Sequence, residues 1–247
     1  MGALDEQSRS GAEQLLAQGA VPDAMRRVIG ARSAAEGLHE LAEDTHASLL
    51  AVGVTHRGTL GRLVPGSVGE HLLHGAPCPV AVVPGDFTEG PVRTVGVAYA
   101  NSEESAAALR AGEDLARRFG ARLIVITVLD PSLSFAAAPG IPYVTGDLLA
   151  ELEQRLKLDT QQVVDALASE LDTDVRFLVG PAGKTLVDAC QDDVDLLVTA
   201  SRGYGPANSV LLGSVSRHLV DHAPCPVVVV PRDAPAEEVP EPAEATA

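Results

Sequence analysis

The chain has 247 residues, 46% of them hydrophobic, so it is long enough for one or two domains and can build a core. Acidic residues outnumber basic ones, 34 to 18, and the net charge of −16 argues against nucleic acid or an anionic membrane surface as a partner. Three cysteines do not make a disulfide framework, and no signal peptide or membrane-spanning apolar run is visible, so we expect a soluble cytoplasmic protein.

Strand and helix patterns alternate between residues 92 and 231. We predict these elements in chain order: strand Val92–Tyr99, helix Glu103–Phe119, strand Arg122–Leu129, helix 147–170, strand Asp174–Val179, helix Thr185–Gln191, strand Asp195–Thr199, helix Ser214–His222 and strand Pro226–Val230. The alternation predicts βαβ units around a parallel sheet. The acidic, proline-rich residues 233–247 are predicted to be a disordered tail.

Part of the amino-acid sequence is repeated within the chain. The segment GSVGEHLLHGAPCPVAVVP at 66–84 matches GSVSRHLVDHAPCPVVVVP at 213–231, with equivalent residues 147 positions apart. We predict a complete second copy at 92–232 and a truncated first copy at 1–86 that lacks the first two strands. Met1 is therefore expected to be an internal start or a truncation; otherwise the third strand, Met25–Ile29, must pair beside the fourth or borrow another edge.

A glycine-bearing loop leads from the fourth strand of the second copy to its last helix. Gly203, Gly205 and Gly213 let the backbone approach a ligand closely. Ser214 begins a helix whose dipole favours anions. These residues outline a phosphate cradle, but composition alone favours an ordinary loop with Ser214 as a plain N-cap.

Two longer segments carry a family resemblance. ASRGYGPANSVLLGSVSRHLVDHAPCPVVVV resembles the C-terminal signature of the universal stress protein family, and GVTHRGTLGRLVPGSVGEHLLHGAPCPVAVV resembles it too. The resemblance implies a flavodoxin-like, doubly wound α/β fold with a five-stranded parallel sheet in the order 3-2-1-4-5, here duplicated. It also implies ATP or AMP binding, a role in stress tolerance, and self-association through the fifth strands, Pro79–Val83 and Pro226–Val230.

The resemblance also indicates where a nucleotide would bind in the second copy. The residues on the matching positions are Val128, Ala200, Gly203, Gly205, Gly213, Ser214, Val215 and Arg217. Val128 matches the position that packs against adenine, whereas Ala100 stands where nucleotide-binding members have a carboxylate. We expect the lost carboxylate to weaken binding by about 1–3 kcal/mol. On so acidic a protein the phosphates would need local cations or Mg²⁺.

Arg217 stands where the first copy has Glu70. A cation in the first turn of a helix opposes the helix dipole unless an anion lies beside it, which favours phosphate at this position in the second copy only.

Two functions stay open for the second copy. It is either a nucleotide-binding regulator or a nucleotide-free interaction module, and in neither case a catalyst. Ser214 and His218 share a helix face but lack the third group and oxyanion hole of a hydrolase. The segment ending in Gly183-Lys184-Thr185 has Leu178 where a P-loop needs glycine.

The three cysteines are expected to be structural. Cys78 and Cys225 occupy equivalent positions just before the fifth strands and are predicted to be buried core thiols, and Cys190 a lone helix residue.

Overall fold

Alternating strands and helices fill most of the chain in the computed structural model. The structure describes residues 27–53, 56–57, 63–64, 67–85, 87, 90–131, 146–167, 171–191, 193–201 and 212–231. Contacts divide the chain into two units, Met1–Ala47 and Ser48–Ala247. The predicted domain limits of 1–86 and 92–232, and the predicted disorder of residues 233–247, remain predictions.

The described residues form fifteen helices and strands. The helices are α1 (Ala34–Asp44), α2 (Ser67–Leu73), α3 (Glu103–Phe119), α4 (Gly146–Leu167), α5 (Ala182–Ala189) and α6 (Ser214–His222). The strands are β1 (Leu50–Gly53), β2 (His56–Arg57), β3 (Leu63–Val64), β4 (Val80–Val83), β5 (Thr94–Tyr99), β6 (Arg122–Leu129), β7 (Thr173–Val179), β8 (Leu196–Ala200) and β9 (Val227–Val230). In the part of the chain that is described, no helix is both long and apolar enough to cross a membrane.

Seven strands form one sheet, in the order β1-β4-β9-β8-β5-β6-β7. The five strands of the second copy are all parallel, and their order is 3-2-1-4-5 when they are numbered within that copy. The predicted α/β fold class is therefore confirmed. Near-continuous burial of β5, β6, β8 and β9 is typical of parallel strands covered on both faces.

The two fifth strands, β4 and β9, pair antiparallel and join the copies in one sheet. Val80 lies opposite Val229 and Val82 lies opposite Val227, while the equivalent residues Ala81 and Val228 face each other. The register is thus unchanged when the two copies are exchanged, as expected of a local twofold axis between Ala81 and Val228. The predicted contact between the fifth strands is present within the chain.

Helix α3 begins and ends at the predicted residues, and its buried face and its two caps explain why. Ala108, Leu109 and Ala116 recur at helical spacing on its buried face and pack with Val95 and Val97 of β5. At its N-terminus Ser102 forms a capping box with Ser105. At its C-terminus Gly120 has a φ of 62°, which glycine adopts without strain.

Helix α5 begins three residues earlier than predicted, at Ala182 rather than Thr185. Pro181 stands at the N-cap, where a missing N–H costs nothing, and its carbonyl accepts from the Thr185 amide at 2.9 Å. Asp130 adds a further cap, because its carboxylate accepts from the Ala182 amide at 3.0 Å.

The third strand predicted in the first copy is not formed in its described part. Residues 27–30 are in no strand, and Met25 lies outside the described residues. Ile29 and Ala31 lie instead against α1, where a Cβ added to Gly37 would come within 3.2 and 2.9 Å of their side chains. The physical reason is that the described residues of the first copy include no counterparts of the two strands that complete this ladder in the second copy.

Leu109 and Leu158 allow a matched test of the core. Leu109 on α3 is 1% exposed, whereas Leu158 on α4 is 58% exposed. We expect Leu109→Ala to lower the free energy of unfolding by about 2–5 kcal/mol through lost burial and a cavity. Leu158→Ala should change it by less than about 0.5 kcal/mol. Urea denaturation measures both, and equal losses would contradict the assigned packing.

Candidate functional site

The candidate site lies at the carboxyl ends of β5 and β8, which are neighbours in the sheet. From β5 the chain crosses over through α3 to β6 on one side, and β8 continues through α6 to β9 on the other. The reversal of direction opens a crevice beyond these strand ends, which is where doubly wound sheets bind their ligands. Ala100 directly follows β5, and Ala200 ends β8.

Helix α6 begins at Ser214, and its first turn lies beside the carboxyl end of β8. Its N-cap is Gly213, not Ser214, and because glycine has no side chain the cap makes no hydrogen bond to the first-turn amides. The Gly213 carbonyl accepts from the Arg217 amide at 2.8 Å, so the first helical turn is fully formed. Ser214 is exposed and Val215 is half-buried. Among the described residues the N-cap thus offers these amides no side-chain acceptor, and a helix N-terminus of this kind, with the Ser214 hydroxyl beside it, would stabilise an anion.

Ser216 fixes this helix to the end of β8. Its buried hydroxyl donates to the Ala200 carbonyl at 2.7 Å and lies 3.4 Å from the hydroxyl of Thr199. Sequence reasoning missed this residue. The first copy has Gly69 and Val52 at the two equivalent positions, so a matched pair of polar residues in one copy only was the available signal.

Ser201 is a second residue that the motif did not single out. Its amide donates to the Val230 carbonyl at 2.9 Å, which continues the β8–β9 ladder by one residue. Its side chain is 1% exposed, and within the described residues its hydroxyl has no hydrogen-bond partner. The hydroxyl borders a small apolar cavity lined by residues of α2, of the α2–β4 connection and of β9, among them Leu72, Cys78 and Val229.

The chain turns from β5 toward α3 at Ala100, which offers no carboxylate there. The next residue, Asn101, has a φ of 49°, and its side-chain oxygen accepts from the Tyr99 hydroxyl at 3.3 Å. Its amide nitrogen lies 3.5 Å from the carboxylate of Asp159 on α4. Burial, with the nearby Asp159 charge, raises the pKa of Tyr99, so the phenol stays a proton donor. Val128, half-buried in β6, lies in the neighbouring strand.

Arg217 forms an ion pair with a carboxylate of the same chain. Its guanidinium lies 2.6 Å from the carboxylate of Glu70, the equivalent residue on α2 of the first copy. This pair supplies the anion that the helix-dipole argument assigned to phosphate. Arg217 also lies 4.0 Å from Asp221 on its own helix. The assignment of Arg217 to a nucleotide stays a prediction.

The other residues that the sequence analysis considered for binding or catalysis do not form a site in the described part of the chain. Gly203 and Gly205 lie outside the described residues. Lys184, the cation of the P-loop-like segment, pairs with Asp188 on the same helix. Among the described residues no group of three histidine, cysteine or acidic side chains could hold a metal ion. His218 stacks on His222 with ring centres 4.2 Å apart.

The chain is similar to proteins of known family and fold. A model of the universal stress protein family matches residues 2–84 and 91–231. A universal stress protein of Mycobacterium tuberculosis is 26% identical over 211 residues, which cover 81% of this chain and 70% of the relative. One from Thermus aquaticus is 32% identical over 139 residues, 56% of this chain and 98% of the relative. The crystal structure of a universal stress protein from Archaeoglobus fulgidus shares the fold, with a TM-score of 0.68 at 20% identity, covering 94% of this chain and 84% of that one.

The Glu70–Arg217 pair predicts a pH-dependent coupling between the copies. Both side chains are nearly half exposed, at 44% and 46%, so a double-mutant cycle with Glu70→Gln and Arg217→Gln should give about 0.2–1 kcal/mol at pH 7. Arg217 lowers the pKa of Glu70 by hydrogen bonding and by charge. The stabilisation is therefore present above the unfolded pKa of glutamate and is lost as the pH falls through the lower, folded value. A coupling energy measured by urea denaturation that persists at pH 2 would contradict this pairing.

Proposed function

Since the chain belongs to the universal stress protein family, we propose that its second copy binds ATP or AMP at the carboxyl ends of β5 and β8. The protein then acts as a cytoplasmic regulator in a stress response rather than as an enzyme. Binding of a nucleotide would change the interactions of the protein with its partners, and the nucleotide would dissociate without being chemically altered.

The open N-terminus of α6 is the observation that carries this proposal. Uncapped amides and a hydroxyl at a helix N-terminus suit a phosphate group. The hydrogen bond from Ser216 to the Ala200 carbonyl holds these amides at a fixed place relative to β8. Such a site needs no rearrangement before it accepts an anion, so little of the binding free energy is spent on ordering α6.

The proposed contacts follow the sequence prediction. Gly213, Ser214 and Val215 would bind phosphate through their backbone amides and the serine hydroxyl, and Ala200, Gly203 and Gly205 would let the loop approach the sugar and phosphates. Val128 would pack against the base. Mg²⁺ would accompany a triphosphate on the phosphate oxygens themselves, because the described residues provide no cluster of three metal ligands.

The alternative function is a nucleotide-free interaction module. Ala100 favours it, because it offers no acceptor for the sugar or base. The pairing of β4 with β9 within the chain supports it as well, because fifth strands of this kind can form an edge-to-edge contact. In this function the glycine loop would be structural only.

Ser214→Glu separates these two functions. A carboxylate at the first position of α6 would occupy the place of the phosphate and repel it, so we expect any rise in melting temperature with millimolar ATP and Mg²⁺ to be lost. Ser67→Glu is the matched control, since Ser67 begins α2 at the equivalent position of the first copy. The control should respond to ATP as the unmodified chain does. If the unmodified chain itself shows no shift, the interaction module is favoured.

Ala100→Asp tests the base side by gain of affinity. A carboxylate directly after β5 would restore an acceptor for the sugar or base, and we expect the dissociation constant for ATP, measured by calorimetry, to fall about 5- to 150-fold. Ala100→Asn is the control, because it adds similar volume without the charge. Equal affinities in both variants would show that nucleotide does not contact position 100.

A further inference from the structure

The outer edge of β7 has no strand beside it in the described part of the chain. The fifth strands β4 and β9 pair with each other and each has a second neighbour, so neither is available to join another chain. The outermost strands are β1 and β7, and β7 is the longer, with seven residues against four. We propose that two copies of this chain dimerise by pairing their β7 strands antiparallel, with Val175 of one chain opposite Val175 of the other.

Alternate residues of β7 direct their backbone groups away from β6. The Asp172 carbonyl accepts from the Leu123 amide at 2.9 Å, and the Gly180 amide donates to the Leu129 carbonyl at 3.0 Å. Even-numbered residues of this segment therefore bond to β6, and odd-numbered ones direct both N–H and C=O outward. The outward residues within the strand are Thr173, Val175, Phe177 and Val179. A row of such groups is a template for a further strand.

The backbone geometry allows a symmetric pair centred on Val175. A twofold axis perpendicular to the sheet keeps each face of the sheet on its own side, so only residues from the same face can lie opposite each other. Centring the pair on Val175 also places Thr173 opposite Phe177 of the second chain. The outward N–H and C=O groups of both strands then meet in hydrogen-bonded pairs.

Charge complementarity selects this register. Asp174 and Arg176 lie on one face of β7, and their side chains are 57% and 29% exposed. Centring on Val175 brings Asp174 of each chain opposite Arg176 of the other. Moving the centre by one residue brings arginine opposite arginine or aspartate opposite aspartate, and like charges directly opposite are destabilising. Arg176 is already held in place, because its guanidinium donates to the Asp193 carboxylate at 2.9 Å.

The same register covers an exposed apolar side chain. Val179 is 50% exposed at the end of β7, and it would lie opposite Leu171 of the second chain. On this face of the strand Val175 already packs against the core, so the new contact would extend existing apolar packing. The other outer strand, β1, has no charged residue and therefore no equivalent means of fixing a register.

Sedimentation velocity on the full chain, without nucleotide, tests the proposal. We expect a dimer that dissociates on dilution. Asp174→Arg should raise its dissociation constant at least about tenfold, because two pairs of arginines would then face each other across the twofold axis. Glu151→Arg is the matched control, since it makes the same change of net charge at an exposed position on α4 and should leave dimerisation unchanged.

A designed disulfide tests the register separately. Residues in a hydrogen-bonded antiparallel pair have Cα atoms about 5.5 Å apart, a distance that suits a disulfide. Val175→Cys should therefore link two chains under mild oxidation, whereas Thr173→Cys should not, because position 173 faces position 177. The three native cysteines are buried and are the same in both variants.

Several results would overturn the proposal. These are a chain that stays monomeric at the highest soluble concentration, a dimer that Asp174→Arg does not weaken, and equal cross-linking of the two cysteine variants. Growth into filaments would contradict it as well, because β1 pairing with β7 head to tail does not close. No measurement involves nucleotide, so the outcome is independent of the proposed function.

Discussion

The antiparallel pairing of β4 with β9 is the interaction on which the rest of the larger unit depends. Every strand exposes a row of N–H and C=O groups on each side, and burying such a row without a partner is costly. All four residues of β9 are buried, so the outer edge of this strand needs the partner that β4 provides. The pairing also makes β1 and β4 part of the seven-stranded sheet, whereas two short strands alone are only marginally stable in water.

Local signals explain which elements could be predicted from the sequence. Helices α3 and α6 and strand β6 have the predicted bounds, because capping residues, a terminating glycine or a run of β-branched residues lie next to their ends. The fold class followed from the alternation of such elements. The antiparallel pair formed by β2 and β3 was missed because each strand has two residues, too few to show an alternation of apolar and polar side chains. The strand predicted at Met25–Ile29 is not formed in its described part, residues 27–29, because strand pairing depends on neighbours that local sequence cannot supply.

The site was predictable only in part for a similar reason. The start of α6 follows from the glycine and serine that begin it, and the absence of a carboxylate at Ala100 can be read directly. Ser201 and Ser216 acquire their roles from packing between β8, β9 and α6, which no short motif encodes. The partner of Arg217 lies 147 residues away, so only a comparison of the two copies for opposite charges would have indicated it.

The opposite charges of Glu70 and Arg217 favour pairing of the first copy with the second. These residues occupy equivalent positions beside a local twofold axis, and there each copy meets its own counterpart. Two second copies docked in the same manner would bring arginine against arginine, and two first copies glutamate against glutamate. Like charges at close range disfavour both arrangements, whereas the mixed pair is attractive. A single exchanged residue thus makes each copy of a duplicated sequence prefer the unlike copy over a second copy of itself.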